Sequence, residues 1–194
     1  MIAIYLMKPK VAVVSPNCNG IDDLPMCLDS LVEQSEKAII IVAENGSTDG
    51  SLKFLQQNYP QIDLVVNQKN LGFAGGVNSG ILQAMEFGVE YVALFNNDAV
   101  ADKDWLKHLV ATLDKNATVG IATCKLLSAD KSHLDSTGDF YTTWGLPYPR
   151  GRDETDLNKY DDDIEVFGAS GGASLYRVSM LQEIGLFDED FFAY

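Results

Sequence analysis

The sequence predicts an α/β domain built on a mostly parallel sheet. Two observations carry this. Short, largely β-branched apolar runs alternate with stretches of helical periodicity along the first 125 residues. Clusters rich in Asn, Asp and Gly follow the apolar runs at what would be their carboxyl ends.

"VAVVS" (11–15) reads as a buried first strand. In "DDLPMCLDSLVEQ", Leu24, Leu28, Leu31 and Val32 recur at helical spacing, with Asp22 and Asp23 as candidate caps. "AIIIVA" (38–43) is the second strand. In the "ENGSTDGS" that follows, Asn45-Gly46 favours a turn and Thr48 or Asp49 suits the start of the helix "SLKFLQQN". "IDLVVN" (62–67) is the third strand. "LGFAGGVNSGILQAMEFG" reads as a loop feeding a helix, with Ile81, Leu82 and Met85 on its apolar face. "YVALF" is the fourth strand, "DKDWLKHLVATLDKN" a helix and "VGIAT" the fifth strand.

After residue 125 the pattern changes to a polar excursion of turns and short strands, in which Phe140, Tyr141, Trp144 and Tyr148 need partners, the core being the first expectation. "IEVFGASGGASLYR" returns to strand character and "VSMLQEIG" to a short helix.

At 194 residues the chain suits one domain that buries roughly 70% of its unfolded surface, without disulfide or zinc. Three cysteines, odd in number and without C-x-x-C spacing, fit reduced thiols in a cytoplasmic protein. A net charge of −14 excludes a nucleic-acid partner, which needs clustered Lys and Arg. It also means that a phosphate-ester ligand would need a divalent cation between itself and the protein. Solubility alone accounts for the same charge. The opening "MIAIYLMKPK" is far short of the roughly 20 apolar residues of a membrane span. It lacks a small-residue cleavage site, and residues 1–10 read as an N-terminal extension.

In open sheets of this kind, ligands bind beyond the carboxyl ends of the strands. Asn17 and Asn19, Glu44 to Asp49, Asn67 to Asn70 and Asn96 to Asp98 all fall there, although turns draw on the same residue types. Asp98, flanked by the uncharged amides of Asn96 and Asn97, suits Mg²⁺ or Mn²⁺, which take one or two carboxylates plus substrate phosphates. The alternative is a turn ahead of the next helix. Glu44 or Asn45 is suited to hydrogen-bond a base edge, and Gly72, Gly75, Gly76 and Gly80 allow close backbone approach to a ligand. Neither a Walker A motif nor G-x-G-x-x-G is present. His108 and His133 are isolated, and G-x-S-x-G is lacking.

Taken in order, these segments resemble the family 2 glycosyltransferases, nucleotide-diphospho-sugar enzymes with a GT-A-type three-layer α/β/α sandwich. "SPNCNG" resembles the family's first-strand P-x-Y-N, "VAENGSTDGS" its V-D-N-A-S-T-D-G-S, and "LFNNDAV" its D-x-D segment. "NLGFAGGVNSGI" and "GASGGASLYRVSMLQEIGLFDEDFFAY" resemble a bacterial subgroup with rhamnosyl- and galactofuranosyltransferase-like members. The resemblance spans residues 11–194. It implies a donor-binding half over 11–125 and an acceptor-side half over 126–194.

The resemblance further implies that Pro16, Asn17 and Asn19 line the nucleotide pocket and that Glu44 and Asn45 face the nucleobase. It puts Asn70 and Asn78 near the ribose or diphosphate, Asn96 and Asn97 against the ribose or cation, and Asp98 on the metal. The implied reaction is inverting transfer of rhamnose or another hexose from a UDP- or dTDP-sugar to a glycan or lipid-linked acceptor. The implied setting is cytoplasmic, with peripheral membrane association of the full-length protein left open. Three positions depart from the family: Cys18 for an aromatic, Glu44 for Asp, and Asn96 for the first Asp of D-x-D. The family's catalytic base follows the "FFAY" segment and is expected beyond Tyr194, so poor transfer by this chain is expected; Asp188 and Asp190 are carboxylates that precede that position. A noncatalytic nucleotide- or sugar-binding module and a sugar-nucleotide pyrophosphorylase are the competing readings.

Overall fold

The computed structural model describes residues 9–193. The expected N-terminal extension lies outside these except for Pro9 and Lys10, and the Lys10 carbonyl is tied to the fold by the Glu90 and Tyr91 amides.

In chain order the elements are β1 (Val11–Asn17), α1 (Leu24–Val32), β2 (Ala38–Asn45), α2 (Ser51–Asn58), β3 (Asp63–Asn67), α3 (Gly72–Glu86), β4 (Tyr91–Phe95), α4 (Trp105–Lys115) and β5 (Ile121–Thr123). Two small antiparallel pairs follow, β6 (Leu126–Leu127) with β7 (Leu134–Ser136) and β8 (Asp139–Tyr141) with β9 (Pro147–Pro149). The chain then returns to the main sheet as β10 (Ala173–Arg177), followed by α5 (Val178–Ile184). The main sheet has the order β3-β2-β1-β4-β10-β5, with β10 antiparallel to both neighbours. Strand order reverses direction between β1 and β4, which opens a crevice at their carboxyl ends.

Burial on both faces explains the continuous apolar runs. Val11 and Val13 pack with Leu24, Leu28 and Leu106 from α1 and α4, whereas Ala12 and Val14 pack with Val77 and Ile81 of α3. Each fully buried Val or Leu contributes about 1.5–3 kcal/mol relative to exposure. The result is the expected three-layer α/β/α sandwich around a mostly parallel sheet.

Several local expectations are corrected. β1 and β2 overrun their apolar runs, so that Pro16, Asn17, Glu44 and Asn45 are strand residues, with Asn17 in register with Glu44. The α3 helix begins at Gly72, which places Gly75, Gly76 and Gly80 inside the helix rather than in a loop. These glycines cost about 1 kcal/mol each relative to Ala. Their use is close approach, since a Cβ at Gly76 would lie 3.0 Å from Asn45 Nδ2 and one at Gly80 would collide with Val14. Leu82 faces outward at 55% exposure, not toward the core. Asp23 sits at the N-cap of α1 without a capping hydrogen bond, whereas Asp49 accepts the Ser51 amide at the start of α2 (2.9 Å).

The aromatics of the excursion pack on one another rather than on the core. Phe140 stacks on Tyr148 and Tyr141 packs at a tilt against Phe167, while Trp144, at the turn between β8 and β9, is 87% exposed. Lys125 fastens the excursion through Asp156 (2.8 Å) and Asp161 (2.6 Å).

Candidate functional site

The carboxyl ends of β1, β2 and β4 meet through polar side chains. Glu44 is 2% exposed and accepts three hydrogen bonds: the Ser47 amide on Oε1 (2.6 Å), and Asn17 Nδ2 (2.7 Å) and the Ser47 hydroxyl (3.0 Å) on Oε2. These donors offset the cost of removing a carboxylate from water. Asn17 Oδ1 in turn accepts Asn97 Nδ2 at 2.8 Å, which joins the tip of β1 to the turn after β4. Gly20 makes room for this pair. A Cβ there would collide with Asn97 Nδ2 and lie 2.8 Å from Asn17 Oδ1.

Around this chain the loops lock together. Asn19 adopts a left-handed conformation (φ 57°), tolerated by Asn, and its Oδ1 accepts the Thr48 amide (2.8 Å) while its own amide reaches Ser47 Oγ (2.8 Å). Burial works against ionisation of Asp49. Hydrogen bonds from Ser51 and from the Ile21 amide nevertheless hold its carboxyl below the usual range.

A second cluster forms between β2 and the start of α3. Asn45 donates to Asn70 Oδ1 and to the Gly72 carbonyl, both at 3.0 Å, and accepts from Leu71 N and Asn67 Nδ2. Asn70 Oδ1 also accepts the Gly72 amide (2.8 Å). Gly46, at φ +74°, lets the chain turn against Lys69, whose backbone a Cβ would meet at 2.7 Å.

Asp98 differs from all of these. It is exposed and has no hydrogen-bond or ion-pair partner among the described residues. Asn97 has given its Nδ2 to Asn17, which leaves its carbonyl oxygen next in sequence to that free carboxylate. Oxygen donors with a single charge suit a hard divalent cation that also takes substrate oxygens. Among the described residues no group of three or more His, Cys, Asp or Glu is placed to hold a metal ion.

The structure thus brings together Asn17, Asn19, Glu44 and Asn97, with Asp98 alongside, and separately Asn45 with Asn70. Pro16 is half-buried in β1, and Asn96 pairs its amide with the Gly172 carbonyl (2.9 Å). Glu44 and Asn45, expected at a nucleobase, lie behind the surface with their side-chain atoms engaged. Asn78 is 5% exposed and turned to the C-terminal segment, which it holds at Phe187 and Glu189. Asp188 and Asp190 are exposed, and Asp188 Oδ1 accepts the Asp190 amide (3.0 Å) in an acidic turn. Sequence reasoning assigned no role to Ser47 or Gly20. Their signal is proximity in space to Asn17, which spacing along the chain does not contain.

Cys18, beside this cluster, is exposed; Cys27 is buried beneath it, and burial pushes its thiol up to about 12. A concavity of about 330 Å³ lies at the opposite, amino end of β2, lined by Leu31, Ala38 and Ile62 and by the polar Gln34, Glu36 and Lys37.

A reversing parallel sheet with polar loops gathered at its switch point is the GT-A architecture. Two solved structures share it: a mannosyltransferase from Pyrobaculum calidifontis in complex with GDP-Man and Mn²⁺ and Staphylococcus aureus TarS 1–349 in complex with UDP. Each has a TM-score of 0.64, at 19% and 20% identity. They align with 95% and 94% of this chain and with 49% and 51% of their own. The sequence pattern of Glycosyl transferase family 2 matches residues 12–185, and the chain belongs to that family.

Among curated relatives, the N-acetylglucosaminyl-diphospho-decaprenol L-rhamnosyltransferase of Mycobacterium tuberculosis is 26% identical over 187 residues, covering 86% of this chain and 61% of its own. The glycosyltransferase YibD of Escherichia coli is 37% identical over 93 residues, covering 46% of this chain and 26% of its own. The chain therefore spans only part of the length of these relatives. Family membership sets the pyrophosphorylase reading aside.

Proposed function

We propose that this chain is the nucleotide-sugar-binding part of an inverting glycosyltransferase. It takes rhamnose or another hexose from a UDP- or dTDP-sugar to a glycan or lipid-linked acceptor. The observation that carries the proposal is the free carboxylate of Asp98 at the switch point of a family 2 fold. The rhamnosyltransferase relative and the Mn²⁺-bound mannosyltransferase structure support the sugar and the metal.

Asp98 and Asn97 Oδ1 would hold Mg²⁺ or Mn²⁺, and the ion supplies charge neutralisation for a departing diphosphate. Asn17, Asn19 and Asn70 shape the nucleotide shelf, with Pro16, Glu44 and Asn45 supporting it from behind. Residues 11–125 form the donor half and 126–194 the acceptor-side half. Inverting transfer needs a carboxylate to take the acceptor proton. Among the described residues none is assigned that role; Asp188 Oδ1 accepts the Asp190 amide, and the carboxylates of both residues are exposed in an acidic turn. No described helix is long and apolar enough to cross a membrane. We place the reaction in the cytoplasm, at the membrane face when the acceptor is lipid-linked.

Thermal unfolding with UDP, dTDP or ADP, in Mn²⁺ or in EDTA, tests this. Stabilisation by UDP or dTDP that disappears in EDTA supports the proposal. Equal stabilisation by ADP, or none by any nucleotide, contradicts it.

A further inference from the structure

Glu44 is a buried acid whose partners are hydrogen-bond donors alone: among the described residues it forms no ion pair. An ionised carboxylate can only accept hydrogen bonds, whereas an Asn amide has one accepting and one donating end. This asymmetry has a consequence two residues away. Glu44 Oε2 requires Asn17 to turn its Nδ2 inward (2.7 Å), so Asn17 must show Oδ1 to Asn97. Asn97 must then donate its Nδ2 (2.8 Å), and the end of Asn97 left unpaired among the described residues is its oxygen. Each amide orientation follows from the one before it, and the first is dictated by the acid.

We propose that Glu44 is a positioning residue that sets the polarity of the Asn17–Asn97 pair, so that position 97 offers an oxygen rather than an NH₂ beside Asp98 to a divalent cation. This rests on the glycosyltransferase reading of the site and goes beyond it, by giving a role in metal binding to a side chain that never touches the metal.

A glutamine of the same shape reverses the chain. In Glu44→Gln, Oε1 still accepts the Ser47 amide, which bonds that oxygen at 2.6 Å in the native chain. The new Nε2 then faces Asn17, and both Asn17 and Asn97 rotate to match. Asn97 now presents an NH₂ group next to Asp98, and an amide nitrogen carrying two protons is no ligand for Mn²⁺. With glutamine at position 44, an aspartate at position 97 restores the match, because it can accept from the rotated Asn17 and keep a second oxygen for the cation.

The test is Mn²⁺ binding to the 194-residue chain in saturating UDP, followed by the paramagnetic resonance signal of free Mn²⁺, with thermal unfolding as the check on folding. Glu44→Gln is expected to weaken Mn²⁺ binding about 10- to 100-fold, the range typical of lost outer-shell partners. The E44Q/N97D double variant, in which every donor meets an acceptor, is expected to bind Mn²⁺ at least about tenfold more tightly than E44Q. N97D alone, which sets Asn17 Oδ1 against a carboxylate, is expected to bind more weakly than the double variant.

Wild-type affinity in E44Q, or a folded E44Q/N97D that loses as much as E44Q does, overturns the proposal. If E44Q does not fold, the double variant decides alone, since its donors and acceptors are fully matched. Absence of Mn²⁺ binding by the wild-type chain, or Asp98→Ala binding as tightly as wild type, is a different failure: it removes the glycosyltransferase reading of the site, and the polarity proposal with it.

Discussion

The side-chain amide of Asn78 grips the backbone of Phe187 at both ends. Nδ2 donates to the Phe187 carbonyl at 2.8 Å, and Oδ1 accepts the Phe187 amide at 3.1 Å. The Phe192 carbonyl accepts the Phe73 amide at 2.7 Å, so the early turns of α3 hold the whole segment from Phe187 to Phe192. Asn78→Ala leaves two backbone groups without partners, and we expect a loss of about 1–3 kcal/mol in urea unfolding. Hydrogen exchange should rise in residues 187–192 and not in β1 or β4.

Gly20 faces the Asn17–Asn97 contact, with no space for a methyl group. Gly20→Ala must push the two amides apart, at a cost of about 1–3 kcal/mol, the usual range for overpacking. The expected result is a lower unfolding midpoint together with weaker UDP binding in Mn²⁺. A variant with native stability and native affinity would show that this contact yields freely.

The three thiols should separate by reactivity. Cys18 is exposed, although burial of its sulfur and the charges of Glu44 and Asp49 raise its pKa. Burial pushes Cys27 up to about 12 and Cys124 up to about 11. The thiolate is the reactive form, so a disulfide reagent at pH 8 should modify Cys18 first. UDP with Mn²⁺ should slow that step, as read by peptide mass mapping. Unchanged Cys18 labelling under saturating nucleotide would place the ligand elsewhere.

Alkaline stability should depend on Tyr176. Its ring is 5% exposed, and burial raises the phenol to about 12, against about 10 in an unfolded chain. The folded-state pKa is the higher, so this contribution is complete below about pH 10 and is lost as pH rises through about 12. Urea midpoints between about pH 9 and 11 should therefore fall less steeply for Tyr176→Phe than for wild type.

The layered α/β fold is legible in the sequence because strands buried on both faces leave unbroken runs, as at Val11–Val14 and Tyr91–Phe95. Strand ends are not legible. Asn17, Glu44 and Asn45 extend the strands because their polar groups satisfy one another across strands, and pairing of that kind has no local signature. The start of α3 is obscured by glycines that serve tight helix–sheet packing. Nor does local pattern reveal that β10 enters the sheet antiparallel between β4 and β5, since that position is fixed by tertiary pairing.

The location of the candidate site at the strand tips was legible from the order of apolar and polar segments. The division between residues that hold the loops and residues free for a ligand was not. Asn, Asp and Gly serve both purposes, and only their partners distinguish Glu44, fully engaged, from Asp98, which has none among the described residues.

Calorimetric titration of the wild-type chain and Asp98→Ala with UDP, in Mn²⁺ and in EDTA, bears most directly on the role of Asp98. Removing a side chain that has no partner among the described residues should leave the unfolding midpoint unchanged. The expected result is tight binding by wild type in Mn²⁺ only, and at least about tenfold weaker, metal-independent binding by the variant. Metal-dependent binding of equal strength in both proteins would contradict a cation held at the tip of β4.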